Sequence, residues 1–146
     1  MDEFDERLLQ ILEFEGRISN VELAKRIGLS PSATLRRVQE LERLDVISGY
    51  KAVIDRSKLG MSFKAYILIG LNKHTKKAQD SFEKAILNAS EITEIHNITG
   101  ATEYLIKVET GGIPEYKALH TEVLGSLPQV NSIQTLVILD SIKCNL

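Results

Sequence analysis

The sequence has a single cysteine, Cys144, among its 146 residues. One thiol excludes an internal disulfide framework and a cysteine-based zinc site, and it fits the reducing cytoplasm. Long apolar stretches are also missing, because runs such as residues 65–71 are far too short to span a bilayer. The N-terminus, MDEFDE, lacks the basic residues of a signal or transit peptide. We therefore expect a cytoplasmic protein without a membrane partner.

Familiar catalytic and metal-binding motifs are absent as well. The three histidines, His74, His96 and His120, share no short motif with one another or with the cysteine, so no metal-ligand spacing exists. No serine elbow, phosphate-binding loop or dinucleotide-binding glycine pattern occurs. We expect no catalytic residues, no metal and no cofactor.

The net charge of −2 does not suggest a nucleic-acid binder, but the distribution of charge is uneven. Residues 1–20 hold two basic and six acidic side chains. Residues 21–60 hold eight basic and five acidic side chains, which is a local net charge of +3. Local positive charge attracts phosphates, so residues 21–60 are where a nucleic-acid contact would lie.

Three helices are predicted in the first 44 residues, because apolar side chains recur there at helical spacing. The residues expected to cap or end them are Asp2, Ser19 or Asn20, Gly28, and Ser30 with Pro31 after it. The side chains expected to face the core are Phe4, Leu8, Leu9, Ile11 and Leu12, then Val21, Leu23, Ala24 and Ile27, then Leu35, Val38, Leu41 and Leu44. Two short helices around a tight glycine-containing turn are typical of a helix-turn-helix.

The third helix has the residue types of a DNA-reading helix. Small residues at its start allow entry into the major groove, and hydroxyl groups there can reach phosphates. Long arginine side chains can reach a phosphate or the edge of guanine. The candidate DNA contacts are Ser30, Ser32, Thr34, Arg36 and Arg37. The alternative is a three-helix packing unit whose arginines form a solvated face.

After the third helix, the pattern changes to a β-type alternation. The Ser-Gly pair within VISGYKAVID predicts a small hairpin, which in this place would be the wing of a winged helix-turn-helix. Lys51 in this hairpin is a further candidate contact with the DNA backbone. Residues 51–62 form the expected link between a DNA-binding domain, residues 1–50, and a second domain, residues 63–146.

The second domain reads as strand, helix, strand, strand, helix, strand, which is the ferredoxin-like βαββαβ arrangement. The fold class is therefore α+β. Helices cover one face of such a sheet and leave the other bare. The first strand, FKAYILIGLN, is apolar on both faces, so we expect the bare face to be buried against a second copy of the chain.

The loop NITGATEY, residues 97–104, is a candidate ligand site. Thr99, Thr102 and the backbone N–H groups around Gly100 could hold a carboxylate, and Glu103 could meet an ammonium group. Those two demands together describe an α-amino acid. The alternative is a simple polar hairpin turn.

Taken together, the two halves resemble the leucine-responsive/AsnC-type "feast/famine" transcription regulators. The resemblance rests on residues 5–55, from DERLLQ to KAVID, and on ITGATEYLIKVE and LPQVNSIQTLVIL. It implies a winged helix-turn-helix followed by an effector-binding and oligomerisation domain. It also implies dimers that assemble further, often to octamers, and control by an amino acid bound between dimers.

Carried over by position, the resemblance places DNA contacts at Ser32, Thr34, Arg36 and Arg37. The effector loop of the family usually reads Thr-Gly-x-x-Asp-Tyr, and here it reads TGATEY, with Glu in place of Asp. The implied effector residues are Thr99, Gly100, Ala101, Thr102, Glu103 and Tyr104 in the loop, with Glu122, Ile133 and Thr135 facing it. An apolar neighbourhood favours leucine or methionine as the effector.

The sequence therefore predicts a sequence-specific DNA-binding transcription regulator that responds to a small effector. Its expected partners are double-stranded DNA, an amino acid and other copies of itself. The alternative is a small-molecule-binding or enzymatic ferredoxin-like domain whose N-terminal helices serve only for packing.

Overall fold

The computed structural model describes residues 1–144, so the last two positions of the predicted C-terminal domain lie outside the description. The chain forms two compact units, Met1–Val53 and a second one that starts at Ile54. The first unit is helical, and the second combines helices with a four-stranded sheet. Within residues 1–144, no helix is long and apolar enough to cross a membrane.

The first unit contains three helices: α1 (Glu3–Phe14), α2 (Asn20–Ile27) and α3 (Pro31–Arg43). Each begins at a side-chain cap, as predicted. The carboxylate of Asp2 accepts the N–H of Asp5 while the carboxylate of Asp5 accepts the N–H of Asp2. The hydroxyl groups of Ser19 and Ser30 cap the other two helices. Local chemistry therefore fixes where each helix starts.

The core of the first unit differs in part from the one that the sequence pattern predicted. Its buried apolar members are Leu8, Leu23, Ala24, Ile27 and Leu41, with Leu9, Ile11, Leu12, Ile18, Leu29, Val38 and Ile47 packed partly against the cluster. The predicted core positions Phe4, Val21, Leu35 and Leu44 are wrong, because these side chains are 37%, 60%, 47% and 54% exposed. Thr34 takes the inward position on α3 that the pattern gave to Leu35. The buried stripe of α3 is therefore Thr34, Val38 and Leu41.

The predicted hairpin wing is not formed. Between the end of α3 and Ser62, the structure has no strand, only an extended segment and one turn of 3₁₀-helix at Arg56–Leu59. Ile47 packs partly against the core, but Val53 and Ile54 are 62% and 54% exposed, so the second predicted strand lacks packing within residues 1–144. An isolated two-stranded hairpin is marginally stable without such packing, which explains the difference.

The second unit has the predicted βαββαβ order. Its strands are β1 (Phe63–Leu71), β2 (Ile92–Asn97), β3 (Tyr104–Thr110) and β4 (Val130–Val137). They form one antiparallel sheet in the order β2-β3-β1-β4. The helices are α4 (Lys76–Ile86) and α5 (Ile113–Ala118), and α5 continues as a π-helix over Leu119–Leu124.

One face of this sheet carries the core of the second unit. Ile67 and Ile69 of β1 are fully buried together with Phe82 of α4 and Leu124 of the π-helix. Alternate residues point to the opposite face, and directly paired residues share a face. The outer face therefore contains Lys64, Tyr66 and Leu68 of β1, Leu105 and Lys107 of β3, and Gln134 and Leu136 of β4.

Two neighbouring residues of α2 test this description of the core. Leu23→Ala is expected to lower the free energy of unfolding by about 2–5 kcal/mol, because Leu23 is 2% exposed and its removal leaves a cavity. Val21→Ala, the matched control, is expected to change it by less than about 0.5 kcal/mol. Denaturant unfolding followed by helical circular dichroism measures both. Equal losses for the two variants would contradict the assigned rotation of α2.

Candidate functional site

The start of α3 is held by its cap and by the neighbouring helix. The hydroxyl of Ser30 accepts the N–H of Ala33 at 3.2 Å and lies 3.3 Å from the hydroxyl of Ser32. The side-chain amide of Asn20 donates to the carbonyl of Pro31 at 2.8 Å, which ties the start of α2 to the start of α3. Ser30 and Ser32 both remain exposed, beside N–H groups at a helix start that favour anions.

The predicted DNA contact at Thr34 requires a correction. This side chain is fully buried, and its hydroxyl donates to the backbone carbonyl of Ser30 at 2.9 Å. A side chain that faces the core and has used its hydroxyl cannot reach a base or a phosphate. Thr34 instead supports the first turn of α3 from the inside.

The predicted contact at Arg37 also changes, because α1 holds this side chain. Its guanidinium donates to the carboxylates of Asp2 at 2.9 Å and of Asp5 at 2.8 Å, and it lies 5.4 Å from the ring centre of Phe4. Asp5 and then Asp2 raise the pKa of Arg37 above its ordinary value. The backbone N–H of Asp5, with help from Arg37, lowers the pKa of Asp2. The charge of Arg37 is therefore already balanced inside the protein.

Of the basic residues predicted to contact DNA, Arg36 and Lys51 are the two that make no ion pair within residues 1–144. Arg26 pairs with Glu15 at 2.5 Å, and Arg43 pairs with Glu40 at 2.7 Å. Arg36 is exposed and makes no ion pair with any residue from 1 to 144, and the same holds for Lys51 in the extended segment. Both cations therefore remain available to phosphates or bases.

The sequence interpretation missed Gln39, which lies one turn after Arg36. Its side chain is exposed on the same outward side of α3. Residues 32, 36 and 39 follow the spacing of one helix face, which is the signal that could have identified it.

In the second unit, the loop between β2 and β3 is a hydrogen-bonded turn. Gly100 has φ of +115°, a conformation that favours glycine, so the prediction of a turn there is confirmed. The N–H of Ile98 donates to the carbonyl of Glu103 at 2.9 Å, and the N–H of Glu103 donates to the carbonyl of Ile69 at 3.1 Å. The side chains of Thr99 and Ala101 are exposed, and that of Thr102 is partly buried.

The carboxylate of Glu103 is already engaged within the chain. One oxygen accepts the N–H of Leu71 at 2.7 Å, and the other contacts Nδ1 of His74. The Leu71 N–H is the main reason that the pKa of Glu103 lies below its ordinary value, and His74 adds to the effect. Only 11% of this side chain is exposed, whereas 79% of His74 is exposed. The carboxylate that was predicted to meet an ammonium group is thus already bound within the chain, to the Leu71 N–H and to His74.

The predicted effector contact at Tyr104 is wrong for its side chain. Tyr104 is 1% exposed, packs against Phe82 with ring centres 4.8 Å apart, and donates its hydroxyl to Glu83 at 2.5 Å. Burial, and then Glu83, raises the pKa of the Tyr104 hydroxyl. This residue belongs to the core because it follows the turn and starts β3 on the helix-covered face.

The other predicted effector residues lie on different elements. Ile133 pairs with Ile69 on the helix-covered face and is partly packed into the core. The hydroxyl of Thr135 is hydrogen-bonded to that of Tyr116. Glu122 is exposed on the π-helix, and no hydrogen bond or ion pair recorded for residues 1–144 connects it to the loop. Within residues 1–144 of one chain, Glu122, Ile133 and Thr135 therefore make no side-chain hydrogen bond or ion pair with the loop.

Comparison with known protein families accounts for both units. A family model described as the AsnC-type helix-turn-helix domain matches residues 1–42, and one described as the Lrp/AsnC ligand binding domain matches residues 64–146. The leucine-responsive regulatory protein of Escherichia coli K12 is 38% identical over 143 residues, which covers 98% of this chain and 87% of that protein.

Solved structures of other proteins are similar to this chain along almost its whole length. One is a transcriptional regulator of Neisseria meningitidis that was solved in complex with L-methionine. Its TM-score is 0.94 at 28% identity, and the match covers 99% of this chain and 93% of the regulator. Escherichia coli AsnC has a TM-score of 0.89 at 25% identity, with coverage of 99% and 95%.

Proposed function

The chain belongs to the Lrp/AsnC family of DNA-binding transcription regulators that respond to amino acids, and from this premise we propose how its own residues perform each part of that function. The N-terminal half of α3 lies in the major groove. Arg36 contacts a base edge, Ser30 and Ser32 contact phosphates beside the helix start, and Lys51 contacts a phosphate from the extended segment.

One observation carries this assignment: α3 buries Thr34, Val38 and Leu41 and turns Ser32 and Arg36 outward. The buried stripe fixes the rotation of the helix before DNA arrives. An unpaired arginine on the outward face can therefore meet a base without first leaving a partner in the protein.

Arg37 has a positioning role in this proposal. Its pairing with Asp2 and Asp5 supports it, because the pair joins the first turn of α1 to the middle of α3. A charge that is already balanced releases no counterion from DNA, so Arg37 adds little to the phosphate contacts.

The proposed domain limits separate DNA binding from effector binding and assembly. We assign residues 1–50 to DNA binding, residues 51–62 to a link, and residues 63–146 to effector binding and assembly, with support from the two family matches at 1–42 and 64–146. The chain acts as a regulator and not as an enzyme. The single cysteine supports a cytoplasmic location.

A homodimer built on the outer sheet face is the proposed unit of assembly, and such dimers associate further, up to octamers. Leu68 pairs with Leu105 across β1 and β3, and Leu136 of β4 is 44% exposed beside Tyr66. These apolar side chains lie on the face opposite the one that α4 and the π-helix cover. Burying them against the same face of a second copy is favourable and self-complementary.

The effector site is proposed at the loop of residues 99–103, where an assembled neighbour completes it. Support comes from the family match over residues 64–146, from exposed Thr99, and from a carboxylate at Glu103 that is kept ionised. The separate positions of Glu122, Ile133 and Thr135 support a site shared between chains. The partly buried Ile133 favours an apolar effector, leucine or methionine.

Three variants separate the proposed DNA roles in titrations of the upstream DNA of the protein's own gene at several salt concentrations. Arg36→Ala is expected to lose about 1–3 kcal/mol of binding free energy and to relax sequence preference. Lys51→Ala is expected to reduce the slope of log K against log salt by about one. Arg37→Ala is the control, since it removes a positive charge that is already paired with Asp2 and Asp5, and it is expected to leave that slope unchanged. Wild-type binding by both Arg36→Ala and Lys51→Ala would show that the proposed orientation of α3 is wrong.

The assembly proposal is tested by the mass of the protein in solution. Leu68→Glu is expected to be a monomer, because burying an unpaired carboxylate in the middle of the interface would cost too much free energy. Leu87→Glu, a control just after α4 at a position that is 69% exposed, is expected to keep the wild-type mass. Light scattering after size-exclusion chromatography measures both. An assembled Leu68→Glu protein would contradict an interface on this face.

Calorimetric titration of the assembled protein tests the effector. Leucine and methionine are expected to bind more tightly than lysine or arginine, because an apolar neighbourhood cannot solvate a charged side chain. Glu103→Gln is expected to weaken leucine binding. Tighter binding of lysine or arginine than of leucine would overturn the proposed effector class.

A further inference from the structure

An apolar side chain is exposed on α3 beside the residues proposed to meet DNA. Leu35 is 47% exposed and does not belong to the core of its unit. Successive residues of an α-helix are rotated by about 100°, so burial of Thr34 turns Leu35 sideways and outward. Isolated exposed leucines are common, and the meaning of this one depends on its neighbours.

Leu35 sits within a continuous surface of four side chains, which we call the outer patch: Ser32, Leu35, Arg36 and Gln39. Each member is three or four residues from another, which is the spacing of direct neighbours on a helix. Within residues 1–144, Arg36 makes no ion pair and the side-chain amide of Gln39 makes no hydrogen bond. The outer patch therefore presents one free cation, one free amide and one apolar group.

Bases in the major groove offer groups that match this set. Guanine offers two acceptors to an arginine, adenine offers an acceptor and a donor to a glutamine, and thymine offers its 5-methyl group to an apolar side chain. The thymine methyl is the apolar group among these base edges. An apolar side chain on the outer patch therefore has one matching partner in the groove.

We propose that Leu35 reads thymine by packing against its 5-methyl group, with Arg36 and Gln39 reading guanine and adenine on either side. The inference rests on the proposed function, in which the N-terminal half of α3 lies in the major groove. It goes further by naming a specificity-determining residue that makes no polar contact.

The surroundings of Leu35 favour DNA over a protein as the occupant of this surface. Arg36 lies next to it, and the capped start of α3, with exposed Ser30 and Ser32, lies one turn away. A free cation and a helix start both favour a polyanion. In helix-turn-helix proteins it is the N-terminal part of the second helix that contacts base edges.

The test removes single methyl groups from DNA. Duplexes enriched by the wild-type protein from a random pool define its preferred sequence, and each thymine in that sequence is then replaced by uracil. Uracil pairs like thymine and lacks only the methyl group. At one thymine, the replacement is expected to weaken wild-type binding by about fourfold, which corresponds to burial of one methyl group.

Leu35→Ala is expected to bind the thymine and uracil duplexes equally. Leu35→Gln serves as a second variant of similar size, and it is also expected to lose the thymine preference. Val21→Ala is the matched control, since Val21 is an exposed apolar residue of α2, and it is expected to keep the fourfold difference. Circular dichroism confirms that each variant is folded.

The outcomes distinguish this inference from the proposed function. If Leu35→Ala keeps the thymine preference, or if no thymine in the preferred sequence is sensitive to uracil while Arg36→Ala still relaxes the sequence, the Leu35 assignment is overturned and the proposed function stands. If the wild-type protein enriches no sequence at all, both are overturned.

Discussion

The burial of one stripe of α3 determines how the N-terminal unit can act. Thr34, Val38 and Leu41 face the core, and once they are buried the rest of the helix has no freedom of rotation. The Asp2–Arg37–Asp5 contact strengthens the same constraint, because it fastens the middle of α3 to the first turn of α1. DNA contacts are therefore restricted to the side chains that remain, and the guanidinium of Arg37 is paired within the protein instead of with a phosphate.

In the C-terminal unit, burial of one face of the sheet determines in a comparable way which surfaces remain exposed. Helices cover the face that carries Ile67, Ile69 and Tyr104, so the opposite face and the loops at the strand ends are the surfaces available for other molecules. Glu103 belongs to the loop and also contacts the sheet. Its carboxylate fixes the end of β1 through the Leu71 N–H and yet lies next to the exposed loop. A ligand at the loop would thus act on a group that is already part of the sheet.

Local signals were enough to predict where most elements begin and end. Ser19 and Ser30 cap their helices as predicted, and Gly28 ends α2 in the left-handed conformation. The βαββαβ order followed from alternating and helical periods. These features depend on interactions within a few residues, which a sequence displays directly.

Features that depend on tertiary contacts were not predictable from the same patterns. Apolar residues lie at positions 21, 23, 24 and 27, so α2 offers two overlapping stripes, and only packing against α1 and α3 selects Leu23 over Val21. Thr34 looked like a groove residue because it is polar, but its hydroxyl finds a carbonyl one turn back. The pairing of Arg37 with Asp2 spans 35 residues and leaves no mark in the spacing.

The rotation of α3 is the central claim, and cysteine scanning along the helix tests it most directly. In a Cys144→Ser background, single cysteines along α3 are treated with a thiol reagent in the presence and absence of DNA. We expect reaction at positions 32, 35, 36 and 39 only without DNA, no reaction at 34, 38 and 41 in either state, and reaction at 40 in both. Protection at position 40 with continued reaction at 35, 36 and 39 would contradict the account.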